Sequence, residues 1–289
     1  MKKAFVQLHI AILLAGFTGV LGRLISINEG LLVWYRLFFT AITLGIMALI
    51  TKKVSLRFHK SFFSLIGIGF IIALHWVFFY GSIKYSNVSV GLVCFSSIGF
   101  FSSVVEPLIL KRRVDPVEVV LGIAVMFGVY LIFHFANNYQ LGIVFGLISS
   151  FLAALFTILN KSMVGKHNPE TISFYELGGG WIALTFFLPF YFQFFPVERY
   201  FPTSLDLVWL MVLSLFCTVL AFNLSIRSLQ KISPFTVNLS YNLEPVYGIA
   251  LAFLIYQEHR ELGSSFYFGI GIIFLTVLIQ TLRTWRKRV

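Results

Sequence analysis

Apolar runs of about twenty residues, separated by short charged or turn-rich breaks, recur from one end of the chain to the other. A run of that length crosses a hydrocarbon core of about 30 Å as a helix rising ~1.5 Å per residue. Read in this way, spans are expected near 4–27, 30–50, 61–82, 86–110, 116–135, 140–161, 171–192, 206–226, 234–256 and 263–283. Little is left over for a water-facing domain. Of 289 residues, 58% are hydrophobic and 11% are charged, where a soluble domain carries roughly 25% charged residues. The expected fold class is an all-α integral membrane protein with ten transmembrane helices, and an appended soluble enzyme domain is excluded.

The balance of 22 Lys and Arg against 11 Asp and Glu would suggest nucleic-acid binding in a soluble protein. Here the cations sit in short runs between spans, as in cytoplasmic loops, and no nucleic-acid partner is expected. Seventeen of them fall in alternate connections on one side, Lys2, Lys52, Arg57, Lys60, Arg112, Lys161, Arg227, Lys231, Lys287 and Arg288 among them. Only Arg23, Lys84, Arg199 and Arg260 fall on the other side, and Arg36 lies inside a span. Both termini are therefore expected in the cytoplasm, and the setting is a multi-pass protein of a bacterial cytoplasmic (inner) membrane. Met1-Lys2-Lys3 before an apolar run also reads as a signal peptide. No small-x-small cleavage site follows, so the segment is taken as the first span. Cys94 and Cys217 both lie in apolar segments, with no CxxC spacing for a metal or redox centre.

An internal repeat runs through this layout. Sliding 84–131 by 147 positions onto 231–278 matches Lys84 with Lys231, Ser86 with Ser233, Val90 with Val237, Arg113 with Arg260, Gly122 with Gly269 and Leu131 with Leu278. The slide sets spans four and five on spans nine and ten. The chain thus divides into five-helix units, 1–138 and 139–289. An odd number of spans inserts the second unit upside down, which is the inverted repeat of secondary transporters.

Ionisable groups inside spans cost at least a few kcal/mol and mark function first. By helical rise, Arg36, His75 and Glu244 fall at similar depth, while Glu176 lies nearer the inner face. Two readings stand for Arg36 and Glu176: gating of a cavity, or a buried ion pair, Arg36 with Glu244 or with Glu176. Around the helix of span nine, Asn238, Tyr241, Asn242, Glu244 and Pro245 share one polar face. Trp76 and Tyr80 stand beside His75 on span three, and Ser96 and Ser97 lie on span four; these are candidate cavity walls or packing residues. Pro107 and Pro245 are expected to kink their helices, because each removes a backbone hydrogen bond. Glu106, close to Lys111, Arg112 and Arg113, reads as an interfacial ion pair. Gly142, Gly146 and the run Gly178-Gly179-Gly180 read as packing surfaces. The sequence carries no GxxxxGK[ST] loop and no HExxH, so nucleotide hydrolysis is excluded, and neither a metal nor a cofactor is expected.

The stretch Asn242-Leu243-Glu244-Pro245-Val246-Tyr247-Gly248-Ile249, continuing to Gln257-Glu258 and followed by Gly269 and Gly271, resembles the EamA family of the drug/metabolite transporter superfamily. That family shows a proline in span nine, an acidic residue thirteen positions later, and a glycine-bearing last helix. The resemblance implies ten helices in two inverted halves, cytoplasmic termini and a central cavity open to one side at a time. It also implies outward movement of small metabolites such as amino acids, without enzymatic activity. The first half departs from the pattern, since by the slide Ile98 takes the place of the proline and Lys111 that of the acid. The expected activity is therefore an alternating-access exporter of a small-molecule substrate, with protons as candidate coupling ions. A passive uniporter and a lipid-intermediate flippase are the alternatives.

Overall fold

The computed structural model describes residues 2–55, 61–135, 139–260 and 262–286. Arg57, Lys60, Lys287 and Arg288, which entered the charge count, lie outside them, as does the expected repeat boundary at 138. The described chain is built of helices, with one isolated bridge between Val164 and His167. In order these are α1 (Lys2–Leu24), α2 (Glu29–Thr51), α3 (Phe62–Lys84), α4 (Val88–Phe95), α5 (Ile98–Leu110), α6 (Pro116–Phe135), α7 (Gln140–Met163), α8 (Pro169–Phe194), α9 (Ser204–Ser214), α10 (Ala221–Leu229), α11 (Pro234–Tyr241), α12 (Glu244–Tyr256) and α13 (Ser264–Arg286). A π-helical segment, Leu215–Leu220, joins α9 to α10. Seven helical stretches among the described residues are long and apolar enough to cross a membrane, one of them α4 with α5 and another α9 through α10. Helices α6 and α13 carry shorter apolar stretches.

Helix starts follow from local chemistry. Side chains of Asn28, Asn87, Asn168 and Ser233 accept backbone N–H groups in the first turns of α2, α4, α8 and α11, and Thr203 with Asp206 forms a capping box on α9. Each satisfies donors that a helix end leaves unpaired. Three helices stop at left-handed residues, Lys52, Lys111 and Gln257.

Two of the expected spans are interrupted. At Ser96–Ser97, between α4 and α5, and at Asn242–Leu243, between α11 and α12, bonds of the i→i+3 type appear: Ser97 N to Cys94 O at 3.1 Å, and Leu243 N to Ser240 O at 3.0 Å. Helix α11 has 8 residues and α12 has 13, so neither alone crosses a core of about 30 Å. The pattern repeats along the chain. Val88, Phe95, Ile98 and Leu110, which bound α4 and α5, are matched 146 positions later by Pro234, Tyr241, Glu244 and Tyr256, which bound α11 and α12. The left-handed Lys111 and Gln257 keep the same offset. Backbone geometry thus sets the register one residue from the 147 favoured by side-chain identities. Glu244 stands opposite Ile98, not Ser97.

The kinks differ from expectation. Pro107 sits within α5, and the interruption falls eleven residues earlier, at Ser96. Pro245 occupies the first turn of α12, where a proline displaces no helical hydrogen bond. The break lies just before it.

The outside is apolar, and ionisable residues deep in the spans are buried within a largely apolar core. Phe186 and Leu254 are 82% and 79% exposed, whereas Arg36, His75, Glu176 and Glu244 are buried. Inside, α3 packs along both α7 and α8, and glycine sets the second approach. A Cβ at Gly69 would collide with the carbonyl oxygen of Glu176, and one at Gly180 would meet the Gly69 carbonyl oxygen at 2.5 Å. Gly179 lies against Ile66 and Gly146 against Cys94, while a Cβ at Gly178 meets nothing within 4 Å.

Gly69→Val is therefore expected to force α3 from α8 at a cost of about 1–3 kcal/mol or more. Apparent melting temperature in detergent would fall for Gly69→Val and hold for Gly178→Ala; equal behaviour of the two variants would refute the close-packing account.

Candidate substrate cavity

A cavity of about 90 Å³ lies where the two interrupted helices meet, bounded by Phe95 and Ile98 beside one interruption and by Tyr241 and Glu244 beside the other. These four are themselves two pairs at the 146-residue offset. Three more pairs at that offset line the wall: His75 with Ala221, Trp76 with Phe222, and Phe79 with Ser225. Equivalent stretches of the two parts of the chain thus enclose one space. Helix α1 adds Ala15 and Thr18, and α2 adds Arg36.

Arg36 is held without an ion pair. Its Nε donates to Thr218 Oγ1 at 2.7 Å, its Nη1 to Tyr80 OH at 2.8 Å and its Nη2 to the Cys217 carbonyl at 3.3 Å. The guanidinium lies 3.7 Å from the centre of the Trp76 ring, a cation–π contact worth up to about 2 kcal/mol away from water. Two of the four partners come from the π-helical segment. A π turn displaces the ladder by one residue, and here Thr218 donates back to Leu213 O at 2.9 Å while the Cys217 carbonyl turns to Arg36. None of the ion pairs among the described residues includes Arg36, Glu244 or Glu176.

Of the two readings left open for Arg36, the ion pair is not formed: α2 presents Arg36 to neutral oxygens and an indole face, with neither carboxylate within 4.0 Å. Glu176 lies elsewhere, between α7 and α8, where its Oε2 accepts from Asn160 Nδ2 at 3.1 Å. Glu244 faces the cavity and has one hydrogen-bonding contact, Thr18 Oγ1 at 3.5 Å. That hydroxyl also reaches the Ala15 carbonyl at 2.6 Å, so Glu244 is weakly engaged.

His75 joins the wall with its Nδ1 committed to Ser149, 2.9 Å from the carbonyl oxygen and 2.9 Å from Oγ. Nε2 is the ring atom left for the cavity. Asn238, which also lines it, donates to Ser102 Oγ at 2.7 Å.

Other expected wall residues stand behind it. Tyr80 positions Arg36 and does not line the cavity. Ser96 and Ser97 turn away: Ser97 Oγ bonds Ser150 Oγ at 2.9 Å, and Ser150 Oγ donates to Phe95 O at 3.0 Å. Ser97 is thereby directed at α7, whereas Ser96 Oγ donates back to the Leu92 carbonyl of α4 at 3.3 Å. Asn242 is buried against Gly99, with neither amide atom hydrogen-bonded. Thr18, Cys217 and Thr218 escaped sequence reasoning, because small residues in apolar helices carry no signal of their own. Among the described residues no cluster of His, Cys, Asp and Glu is placed to hold a metal.

Two stretches of the chain, residues 2–134 and 140–282, match the EamA-like transporter family. The chain belongs to that family of the drug/metabolite transporter superfamily and carries two of its repeats. An uncharacterized transporter of Archaeoglobus fulgidus is 36% identical over 69 residues, a match spanning 24% of each chain. A protein of known crystal structure aligns over 100% of both chains with a TM-score of 0.72 at 14% identity, a likeness of fold alone.

Removing Arg36 orphans no carboxylate. Arg36→Gln is therefore expected to lower the melting temperature only by the loss of the cation–π contact and its hydrogen bonds, about 2 kcal/mol, rather than by the roughly 3–5 kcal/mol of a broken buried pair. A collapse in stability would show the arginine to be a structural counter-ion.

Proposed function

We propose that the protein is a secondary exporter of small zwitterionic metabolites, plainly exemplified by amino acids, working by alternating access. The observation that carries this reading is that Arg36 and Glu244 line one cavity without pairing to each other or to any other charge among the described residues. A solute bearing both a carboxylate and an ammonium group supplies the missing partner to each. Planar guanidinium suits a carboxylate through parallel N–H donors, and the apolar side of the wall, with Phe79, Phe95 and Phe222, accepts a side chain. Ten spans in two inverted halves, 1–138 and 139–289, are part of the proposal, supported by the recurring interruptions. So are cytoplasmic termini in a bacterial inner membrane, supported by the distribution of Lys and Arg.

Coupling to protons would fall to Glu244. The ionisable and charged groups sharing its cavity are Arg36 from α2, His75 from α3, Cys217 from the π segment and Tyr241 from α11. Protonation of Glu244 would release the ammonium end of a bound solute while Arg36 still held the other.

The test uses purified protein in liposomes loaded with a mixed pool of amino acids and nucleosides, with release followed by mass spectrometry with and without a pH gradient. Selective release of amino acids that tracks the gradient is expected, with Glu244→Gln abolishing the pH dependence and Arg36→Gln raising the apparent KM. Release indifferent to the gradient would make the protein a uniporter. Folded protein that releases nothing would refute amino-acid transport and favour lipid flipping.

A further inference from the structure

Resting on the alternating-access reading, we propose that Glu258 and Glu106 are the latches of two opposed gates. Each carboxylate pins the start of the interrupted helix in the other half, and the cycle releases one at a time.

Just past the end of α12, Glu258 reaches across to the first turn of α4. Its Oε1 accepts Val88 N at 3.0 Å; its Oε2 accepts Ser89 N at 2.8 Å and Ser89 Oγ at 2.6 Å. Arg23, at the end of α1, completes the cluster by an ion pair with the same carboxylate. Arg23 is itself held 4.4 Å above the Tyr256 ring, and Tyr256 OH donates to Val20 O at 2.9 Å. The carboxylate is 0% exposed.

The same construction recurs at the far end of the same helix pair. Glu106, near the end of α5, accepts Phe235 N in the first turn of α11 at 2.6 Å. Arg112 stands 3.2 Å from its Oε1 and bridges to Glu118 at 2.9 Å. Val88 and Glu106 are eighteen residues apart along α4 and α5, about 27 Å at the helical rise, so the two clusters sit on opposite membrane faces. The cavity lies between them. Sequence offset alone would not pair these carboxylates: at 146 positions, Glu258 corresponds to Arg112, and Glu106 to Ala252. Function is exchanged between ends, with the acid on one side and the arginine on the other occupying equivalent backbone positions.

A carboxylate at a helix N-terminus is stabilised by both hydrogen bonds and the helix dipole. Parting α4 from α12, or α11 from α5, removes those donors at once, and an opened gate must hydrate the released group. Each cluster thus has a closed and a hydrated arrangement, the bistability that gating needs. By the positive-inside assignment, the Glu258 cluster closes the outer face and the Glu106 cluster the inner one.

The experiment labels Cys217, which lines the cavity, with a membrane-impermeant maleimide in vesicles of known sidedness after Cys94→Ala removes the second thiol. Glu258→Gln and Arg23→Gln are expected to raise labelling from the outside about tenfold, the factor that ~1.4 kcal/mol commands. Glu106→Gln and Arg112→Gln are expected to raise it from the inside. The arginine variants leave both helix caps in place and decide the matter if a glutamate variant fails to fold. Unchanged labelling, or a rise on the same face for both pairs, would overturn the latches. Because labelling needs no substrate, shifted labelling without amino-acid release would sink only the substrate reading.

Discussion

A backbone N–H or C=O that leaves its helical ladder inside hydrocarbon has no water to turn to, and an unsatisfied group there costs several kcal/mol. This requirement shapes the protein wherever its helices are interrupted. At Ser96–Ser97 the chain tightens into i→i+3 bonds, and the carbonyl of Phe95 is met by Ser150 from α7. At the two opposite ends of the same helix pair, the first-turn N–H groups of α4 and of α11 are met by Glu258 and Glu106. The π segment between α9 and α10 frees a carbonyl that Arg36 occupies. In each case irregular backbone is tolerated because another helix supplies the partner, so the irregular points are also the points where helices are tied together.

The interruptions create room as well. Five pairs of wall residues share the 146-residue offset, which places the cavity where the two repeated parts of the chain meet. Shape is repeated there but chemistry is not. Ile98 stands opposite Glu244 and Ala221 opposite His75. In the proposed alternating-access cycle, a duplicated backbone would give two arrangements of comparable energy, because each half could adopt what the other has. Divergent side chains then provide a binding site with a defined polarity, which a symmetric wall could not.

Span positions were legible because hydrocarbon imposes a length and a composition that any reader of the sequence can count. Each expected run overlaps helix, although the first extends past the end of α1 at Leu24 and two are interrupted, at Ser96–Ser97 and at Asn242–Leu243. Arg36, His75 and Glu244, which helical rise sets at similar height, do line one cavity. Side-chain partners were not legible. Arg36 finds Thr218, Tyr80 and Trp76 through crossing angles and a π turn, neither of which leaves a trace in hydropathy. Proline misled in a related way. Pro107 is carried inside α5 without ending it, whereas the serine pair at 96–97, with no breaker residue, is where the helix tightens. The offset could have revealed this: once the break before Pro245 is fixed, the repeat sets a matching break at Ser96–Ser97.

The neutral cradle around Arg36 has a consequence for transport that a buried ion pair would not. A guanidinium locked to a carboxylate would have to give up that pair before it could receive a ligand, with a loss of several kcal/mol in a low-dielectric interior. Hydroxyls, a carbonyl and an indole face orient the charge while leaving it formally uncompensated. The opposite charge on Glu244 is kept apart by the cavity itself. In the proposed cycle, closing both faces over the two separated charges would be unfavourable, and a zwitterion that bridged them would remove that penalty. Under the proposed mechanism, occlusion would thereby be favoured for the loaded carrier, which would couple the presence of substrate to the movement that delivers it.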